Sequence, residues 1–253
     1  MDKLRIIPNL EIKEDFVVKG FQYEGVRKID NPKIIAEKLY KSGADEIIFI
    51  DTVASLYKRN NLFDVIDYAS KNIFIPVTVG GGIKNLKDIY KLLRAGADKV
   101  CINTHGIKNK QLIKDASREF GSQCIVLFVQ SKFIEQEYFC LTDNSRENSG
   151  LKVIDWIKEA EQLGVGEILL SSVDRDGSNQ GYDRKLIQKA CSIVKVPLIP
   201  HGGCGSLNDI LELIKENKSL NAFSSSSFIY ELNYDVKKIK NYLRKKKINI
   251  RYE

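Results

Sequence analysis

Two patterns of apolar and polar positions alternate along the chain. The first is a series of short, nearly unbroken apolar runs, at Leu4–Ile12, Glu46–Asp51, Ile75–Val79, Lys99–Asn103, Cys124–Val129, Glu167–Ser172, Val196–Pro200 and Asn221–Ser225. Parallel strands buried on both faces read this way. The second is helical spacing, at Asn31–Ser42, Leu62–Ser70, Asn85–Ala95, Lys108–Phe120, Leu151–Leu163, Tyr182–Val194, Ser206–Lys215 and Asp235–Lys245. Asp30-Asn31-Pro32 is a cap followed by Pro in the first turn. Gly96 and Gly164 stand where a helix end takes positive φ. Strands and helices that alternate in this number close into a barrel or wind into an open sheet.

An internal echo favours the α/β barrel, a (β/α)8 TIM barrel. SGADEIIFID (Ser42–Asp51) resembles LGVGEILLSS (Leu163–Ser172), which sets Glu46 against Glu167, 121 positions apart. Gly80-Gly81-Gly82 matches His201-Gly202-Gly203, and Asn103-Thr104 matches Ser224-Ser225, at about the same offset. Two copies of a four-βα half, about 1–121 and 122–253, make one eight-stranded barrel over the whole chain. An open sheet has no need of matching halves.

Bulk composition agrees with one barrel of ordinary size. The chain has 253 residues, 43% of them hydrophobic and 29% charged, and α/β barrels commonly run near this length. Net charge is +7 at pH 7 and the pI about 9.0. The Lys and Arg residues are scattered, apart from Arg244-Lys245-Lys246-Lys247, and no zinc-finger or RNA-binding motif is present. That argues against nucleic acid and agrees with attraction of a phosphorylated small molecule. The five cysteines are odd in number, widely spaced and without C-x-x-C, which predicts neither a disulfide framework nor a zinc site. The expectation is no metal and no cofactor. With no segment of 18 apolar residues and no signal-like N-terminus, a cytoplasmic protein without a membrane span is expected.

Barrel chemistry sits on the loops after the strand C-termini. Gly80-Gly81-Gly82 and Gly202-Gly203-Cys204-Gly205 fall there, followed in each half by Asn103-Thr104 or Ser224 to Ser227. Glycine lets the backbone approach an oxyanion with its N–H groups. Two such clusters across one mouth suit a ligand with a phosphate at each end. The bland alternative is that these glycines only make tight turns. Asp174-Arg175-Asp176-Gly177 follows the sixth strand and reads as a turn or as a further phosphate contact.

The stretches RIIPNLEIK, VVKG, DEIIFIDTVAS, PVTVGGGI, GADKVCINT, EFGSQ, GEILLSSVDRDGSNQGYD and HGGCG carry a resemblance. Over essentially its whole length the chain resembles HisF, the cyclase subunit of imidazole glycerol phosphate synthase, and it is closer to HisF than to HisA through GSQ and DRDG. The resemblance implies a barrel that binds a bisphosphate ribonucleotide. It further implies ammonia delivered along the barrel axis from a HisH-type glutaminase, in a heterodimer. It assigns one phosphate to Gly82, Asn103 and Thr104, and the other to Asp176, Gly177, Gly203 and Ser225 or Ser226. One extra residue near positions 217–221 leaves both serines as candidates. It assigns the loop lysine to Lys19, a strand-two carboxylate to Asp51, and the ammonia entrance to Arg5, Glu46, Lys99 and Glu167. These four could equally be a structural salt-bridge plug.

The catalytic pair departs from the family pattern. Where the family has aspartates, this chain has Glu11 and Gln130. Glu moves the carboxylate by about 1 Å, a misplacement that costs on the order of a hundredfold in rate. An amide neither takes nor gives a proton at neutral pH, and acid–base help is worth about 10²–10⁴-fold. His201 at the seventh strand end is a substitute acid or base, or a lining residue. Three functions follow. The first is an ammonia-fed HisF-like subunit with impaired ring closure, serving amidino-sugar or surface-polysaccharide synthesis with a third protein as acceptor. The second is an authentic histidine-pathway cyclase. The third is a non-catalytic scaffold.

Overall fold

In the computed structural model, residues 3–54, 62–230 and 235–251 are described, with Tyr230 as backbone only. Ser55, the end of the DTVAS stretch, lies outside them. Eight parallel strands make the barrel wall: β1 (Arg5–Lys13), β4 (Ile47–Asp51), β5 (Val77–Gly80), β6 (Lys99–Ile102), β7 (Ile125–Ile134), β10 (Glu167–Ser172), β11 (Leu198–His201) and β12 (Ala222–Ser225). Parallel ladders run β11-β10-β7-β6-β5-β4-β1. The first strand also pairs in parallel with the last, Arg5↔Ala222 to Pro8↔Ser225, and β11 lies beside β12, so the sheet closes. This is the (β/α)8 barrel that the internal echo favours over the open sheet, which the alternation alone also allows.

The helices that cover the wall begin at polar caps legible in the sequence. They are α1 (Pro32–Lys41), α2 (Leu62–Asn72), α3 (Leu86–Arg94), α4 (Thr104–Lys108), α5 (Lys110–Phe120), α6 (Val153–Leu163), α7 (Arg184–Cys191), α8 (Leu207–Glu216), α9 (Ser227–Tyr230) and α10 (Val236–Lys245). Asn31, Asn85, Asp183 and Asp235 each accept a backbone N–H from the first turn. Ser206 and Asp209 form a reciprocal capping box. Such caps contribute about 0.5–2 kcal/mol each. Gly96 at φ +115° and Gly164 at φ +102° follow the ends of α3 and α6, as their sequence positions require.

Three features differ from expectation. The segment after β1 forms an antiparallel hairpin, β2 (Phe16–Phe21) and β3 (Glu24–Asp30), and the segment after β7 forms another, β8 (Glu137–Thr142) and β9 (Glu147–Lys152). The helix expected from Leu151 starts at Val153, because Leu151 and Lys152 end β9. The helix expected over Lys108–Phe120 is two pieces. Asn109 takes φ −143° and ψ 90° between them, a strand-like geometry that breaks the hydrogen-bond ladder.

The core has two layers. A large apolar cluster fills the space between wall and helices. A separate small one, including Ile7, Ile48, Cys101, Val126, Leu169 and Ile199, fills the inside of the barrel. Side chains alternate along a strand. The inward positions of β1 are therefore Arg5, Ile7, Asn9 and Glu11: a charge at the bottom, an apolar plug, then polar groups at the mouth.

Candidate active site at the barrel mouth

Inward-facing ends of four strands make the bottom of the barrel ionic. Arg5 Nη1 donates to Glu46 Oε1 at 2.6 Å and Arg5 Nη2 to Glu167 Oε1 at 2.7 Å. Lys99 Nζ meets Glu46 Oε2 at 3.0 Å and Glu167 Oε2 at 2.7 Å. The four charges thus alternate in sign around a closed ring. The two carboxylates raise the proton affinity of Arg5 and Lys99 against the opposing effect of burial, so both cations stay charged. Directly above lies the apolar layer with Ile7, Ile48, Cys101 and Leu169, each two residues further along its strand.

At the mouth, the residues named from the sequence fall into two groups. Asp51, Gly82, Asn103, Thr104 and Gln130 line one cleft, together with His105; it holds about 470 Å³ of empty space, open solvent included. Gly81 sits at φ +110°, and a Cβ there would fall 2.5 Å from the Asp51 carbonyl oxygen. Gly82 sits at φ +68° with Ala54 Cβ 2.8 Å from the place of its own. The glycine run is therefore sterically required, whatever it binds. Asp51 Oδ1 accepts from Val53 N and Ala54 N, both at 2.9 Å. Burial still pushes its carboxyl above the ordinary value. Thr104 Oγ1 accepts from Asp143 N at 2.9 Å, which ties the β8–β9 turn to this cleft.

The second group is covered. Lys19, on β2, is 1% exposed. Its Nζ reaches Glu11 Oε1 and both oxygens of Asp176 at 2.7 Å. Gln22 N donates to Asp176 O at 2.9 Å, and Gly177 packs against Gly20 so closely that a Cβ would collide with its carbonyl. The β2–β3 hairpin therefore lies across Asp176 and Gly177. Gly203 packs against Gly181 in the same way and accepts its N–H at 2.7 Å. Ser226 Oγ donates to Asn9 O at 2.9 Å, inside the barrel. The Ser225 side chain instead meets the Cys204 thiol on the other face of the strand.

His201 stands in the middle of this covered group. Its Nδ1 is 3.1 Å from Ser224 Oγ, and its Nε2 is 3.4 Å from Asn9 Nδ2 and Ser226 Oγ and 3.7 Å from Asp176 Oδ1. Burial lowers its pKa to about 4, with Asp176 pulling the other way and Lys19 adding to the fall. The ring is neutral near pH 7. Glu11, Asp176 and His201 bring ligand atoms within 4.8 Å of one another, a spacing a metal ion could use. The Lys19 ammonium already donates to two of the three, so a cation there would have to displace it.

Glu11 and Gln130 belong to different networks. Glu11 is bonded to Lys19, whereas Gln130 Oε1 accepts from Asn103 Nδ2 at 2.9 Å. Sequence reasoning missed Tyr23, whose hydroxyl pairs with Ser171 Oγ at 2.8 Å and whose ring lies 5.5 Å from Lys19 Nζ. Its place four residues after Lys19 was the available signal.

A closed barrel of eight parallel strands, with carboxylates, a lysine and glycine turns at the C-terminal mouth, is an α/β-barrel of the enzyme type. The chain belongs to the histidine biosynthesis protein family, whose model matches residues 5–235, and within it to the HisF-type proteins. It is 46% identical over 210 residues to a protein of Legionella pneumophila, covering 83% of this chain and 99% of that one. Identity to a Natranaerobius thermophilus protein is 40%, over 98% of each chain. For Clostridium botulinum it is 42%, over 99% of this chain and 100% of the relative. All three carry the name imidazole glycerol phosphate synthase subunit HisF. These names back a histidine-pathway cyclase and lend nothing to a role in surface-sugar synthesis. Among the described residues no helix is long and apolar enough to cross a membrane.

Proposed function

We propose that the chain is the synthase subunit of a glutamine amidotransferase of imidazole glycerol phosphate synthase type. It takes ammonia from a HisH-type glutaminase through the barrel axis and binds a phosphorylated ribonucleotide at the mouth. The observation that carries this reading is the alternating ring of Arg5, Glu46, Lys99 and Glu167 beneath an apolar axis. A ring of paired charges excludes stray ions, and the apolar layer packed above it favours neutral ammonia over ammonium. The open cleft at Gly82, Asn103 and Thr104 takes one phosphate. The group at Asp176, Gly177, Gly203 and Ser226 takes the other once the hairpin lifts. A twofold repeat supports the paired sites: the β1–β2–β3 unit recurs as β7–β8–β9, with Phe16 and Glu137 121 residues apart.

The relatives' names favour imidazole ring closure as the output. One observation favours a second reading, in which ring closure is impaired and a further protein receives the ammonia. Gln130 has no titratable group, and the Glu11 carboxylate is bonded to Lys19. The experiment that separates them supplies the bisphosphate ribonucleotide and ammonium salt without glutaminase. Imidazole product, together with rescue of a cyclase-deficient histidine auxotroph, supports ring closure. Failure of both alongside intact glutaminase coupling supports the second reading.

A further inference from the structure

Two carboxylates and an imidazole converge under the β2–β3 hairpin from separate parts of the barrel. Glu11 stands on β1, Asp176 on the loop after β10 and His201 at the end of β11. None is more than 2% exposed. One ligand atom from each lies within 4.8 Å of the others. Two ligands of one ion, each about 2.1 Å from it, stand roughly 3–4 Å apart, so small side-chain rotations complete the set. The position already holds a cation, because Lys19 Nζ lies 2.7 Å from Glu11 Oε1 and from both oxygens of Asp176. His201 is turned as a ligand would be. Asn9 Nδ2, a donor, faces Nε2 at 3.4 Å, which fits the tautomer with its proton on Nδ1 and Ser224 Oγ as acceptor at 3.1 Å. Ligating histidines hold their other ring N–H in this way. Nε2 then lies as a second acceptor 3.7 Å from Asp176 Oδ1, and a shared cation joins the two.

We propose that Glu11, Asp176 and His201 form a site for a divalent transition-metal ion of the Mn2+ or Zn2+ type, with Lys19 as the cation that stands in while the hairpin is down. One imidazole nitrogen and two carboxylates suit such ions better than Ca2+, which takes oxygens, or Cu+, which prefers sulfur. Ion and ammonium use the same carboxylate oxygens, so each excludes the other. A bound ion therefore holds the hairpin away from Asp176 and Gly177. The inference goes beyond the proposed activity and takes from that reading only that the hairpin lifts.

Mn2+ is the direct probe, because it favours nitrogen and oxygen donors over the thiols of the five cysteines. Titrated as the chloride into the whole wild-type chain and followed by electron paramagnetic resonance, it should bind as one ion per chain. His201→Ala and, separately, Glu11→Gln should each weaken binding by more than the about tenfold that loss of an outer-shell partner costs. Lys19→Met should tighten it about tenfold or more, since it removes the competing closed state. Should Lys19→Met fail to fold, the wild type supplies the same comparison: Mn2+ should speed tryptic cleavage after Arg27 or Lys28, on the lifted hairpin. No Mn2+ binding by the wild type would overturn the proposal. So would binding that ignores both ligand variants, which marks an adventitious ion only, an affinity unchanged in Lys19→Met, or cleavage that ignores Mn2+. None of these readouts uses glutaminase activation or imidazole formation, so failure of the ammonia-receiving role and failure of this site are told apart.

Discussion

Lys19 Nζ lies 2.7 Å from Glu11 Oε1, and the same ammonium bridges to Asp176, 157 residues along the chain. All three side chains are buried. This one cation therefore neutralises two carboxylates and fastens the β2–β3 hairpin to the loop after β10. Lys19→Met would take this cation from both carboxylates. Breaking a buried pair from one side costs about 3–5 kcal/mol. The urea midpoint should fall accordingly with an unchanged slope; a loss below about 1 kcal/mol would show that Lys19 does not hold the hairpin down.

Gly81→Ala and Gly43→Ala separate strain from collision. Both glycines have positive φ, +110° and +90°, but a Cβ at Gly43 meets nothing within 4 Å, whereas one at Gly81 strikes the backbone of Asp51. Gly43→Ala should cost about 1 kcal/mol, from backbone strain alone. Gly81→Ala should cost clearly more and should also disturb the cleft. Equal losses in thermal denaturation would contradict the packing described at the mouth.

His201 gives stability a pH dependence of defined sign. Its folded pKa is about 4 against an ordinary 6.5, so between these values the unfolded chain binds more protons. Stability is full above about pH 6.5 and falls as pH drops towards 4, by about 3 kcal/mol in all. Asp51 and Asp45, whose carboxyls are raised by burial, act with the opposite sign near the lower end. The difference between wild type and His201→Asn removes them. That difference should flatten above pH 6.5; a curve without slope between 4 and 6.5 would mean that His201 is already solvated.

The sequence shows the barrel because buried strands and capped helices are local signals: Ile47–Asp51 is wholly buried, and Asn85 caps α3 from its own first turn. The two hairpins escaped because their outer strands carry no apolar face. Glu24–Asp30 is almost entirely exposed, and Glu147–Lys152 nearly so. The ring of Arg5, Glu46, Lys99 and Glu167 was visible through family likeness, since residues this far apart in sequence meet only when the sheet closes. The covering of Asp176 by Lys19 was not visible, because it depends on where the β2–β3 hairpin comes to rest. Nor was the orientation of Gln130, which Asn103 and the Leu141 carbonyl decide together.

If Gln130 is what limits ring closure, restoring a carboxylate should help. Gln130→Asp combined with Glu11→Asp should raise ammonium-driven imidazole formation by about a hundredfold or more, the usual worth of a positioned acid–base group. No increase would place the limitation elsewhere, with the covered Lys19–Asp176 group as the next suspect.

The role assigned to the ring is tested most directly by the glutamine hydrolysis rate of the HisH-type glutaminase from the same organism, measured with wild type and with Lys99→Ala. The account predicts that the wild-type chain binds the glutaminase one to one and raises its rate, and that Lys99→Ala still binds but delivers less ammonia to the barrel mouth per glutamine consumed. Among the described residues, loss of Lys99 leaves Glu46 and Glu167 sharing Arg5 as their ion-pair partner. No complex, or a complex whose hydrolysis rate and ammonia delivery ignore Lys99, would contradict it.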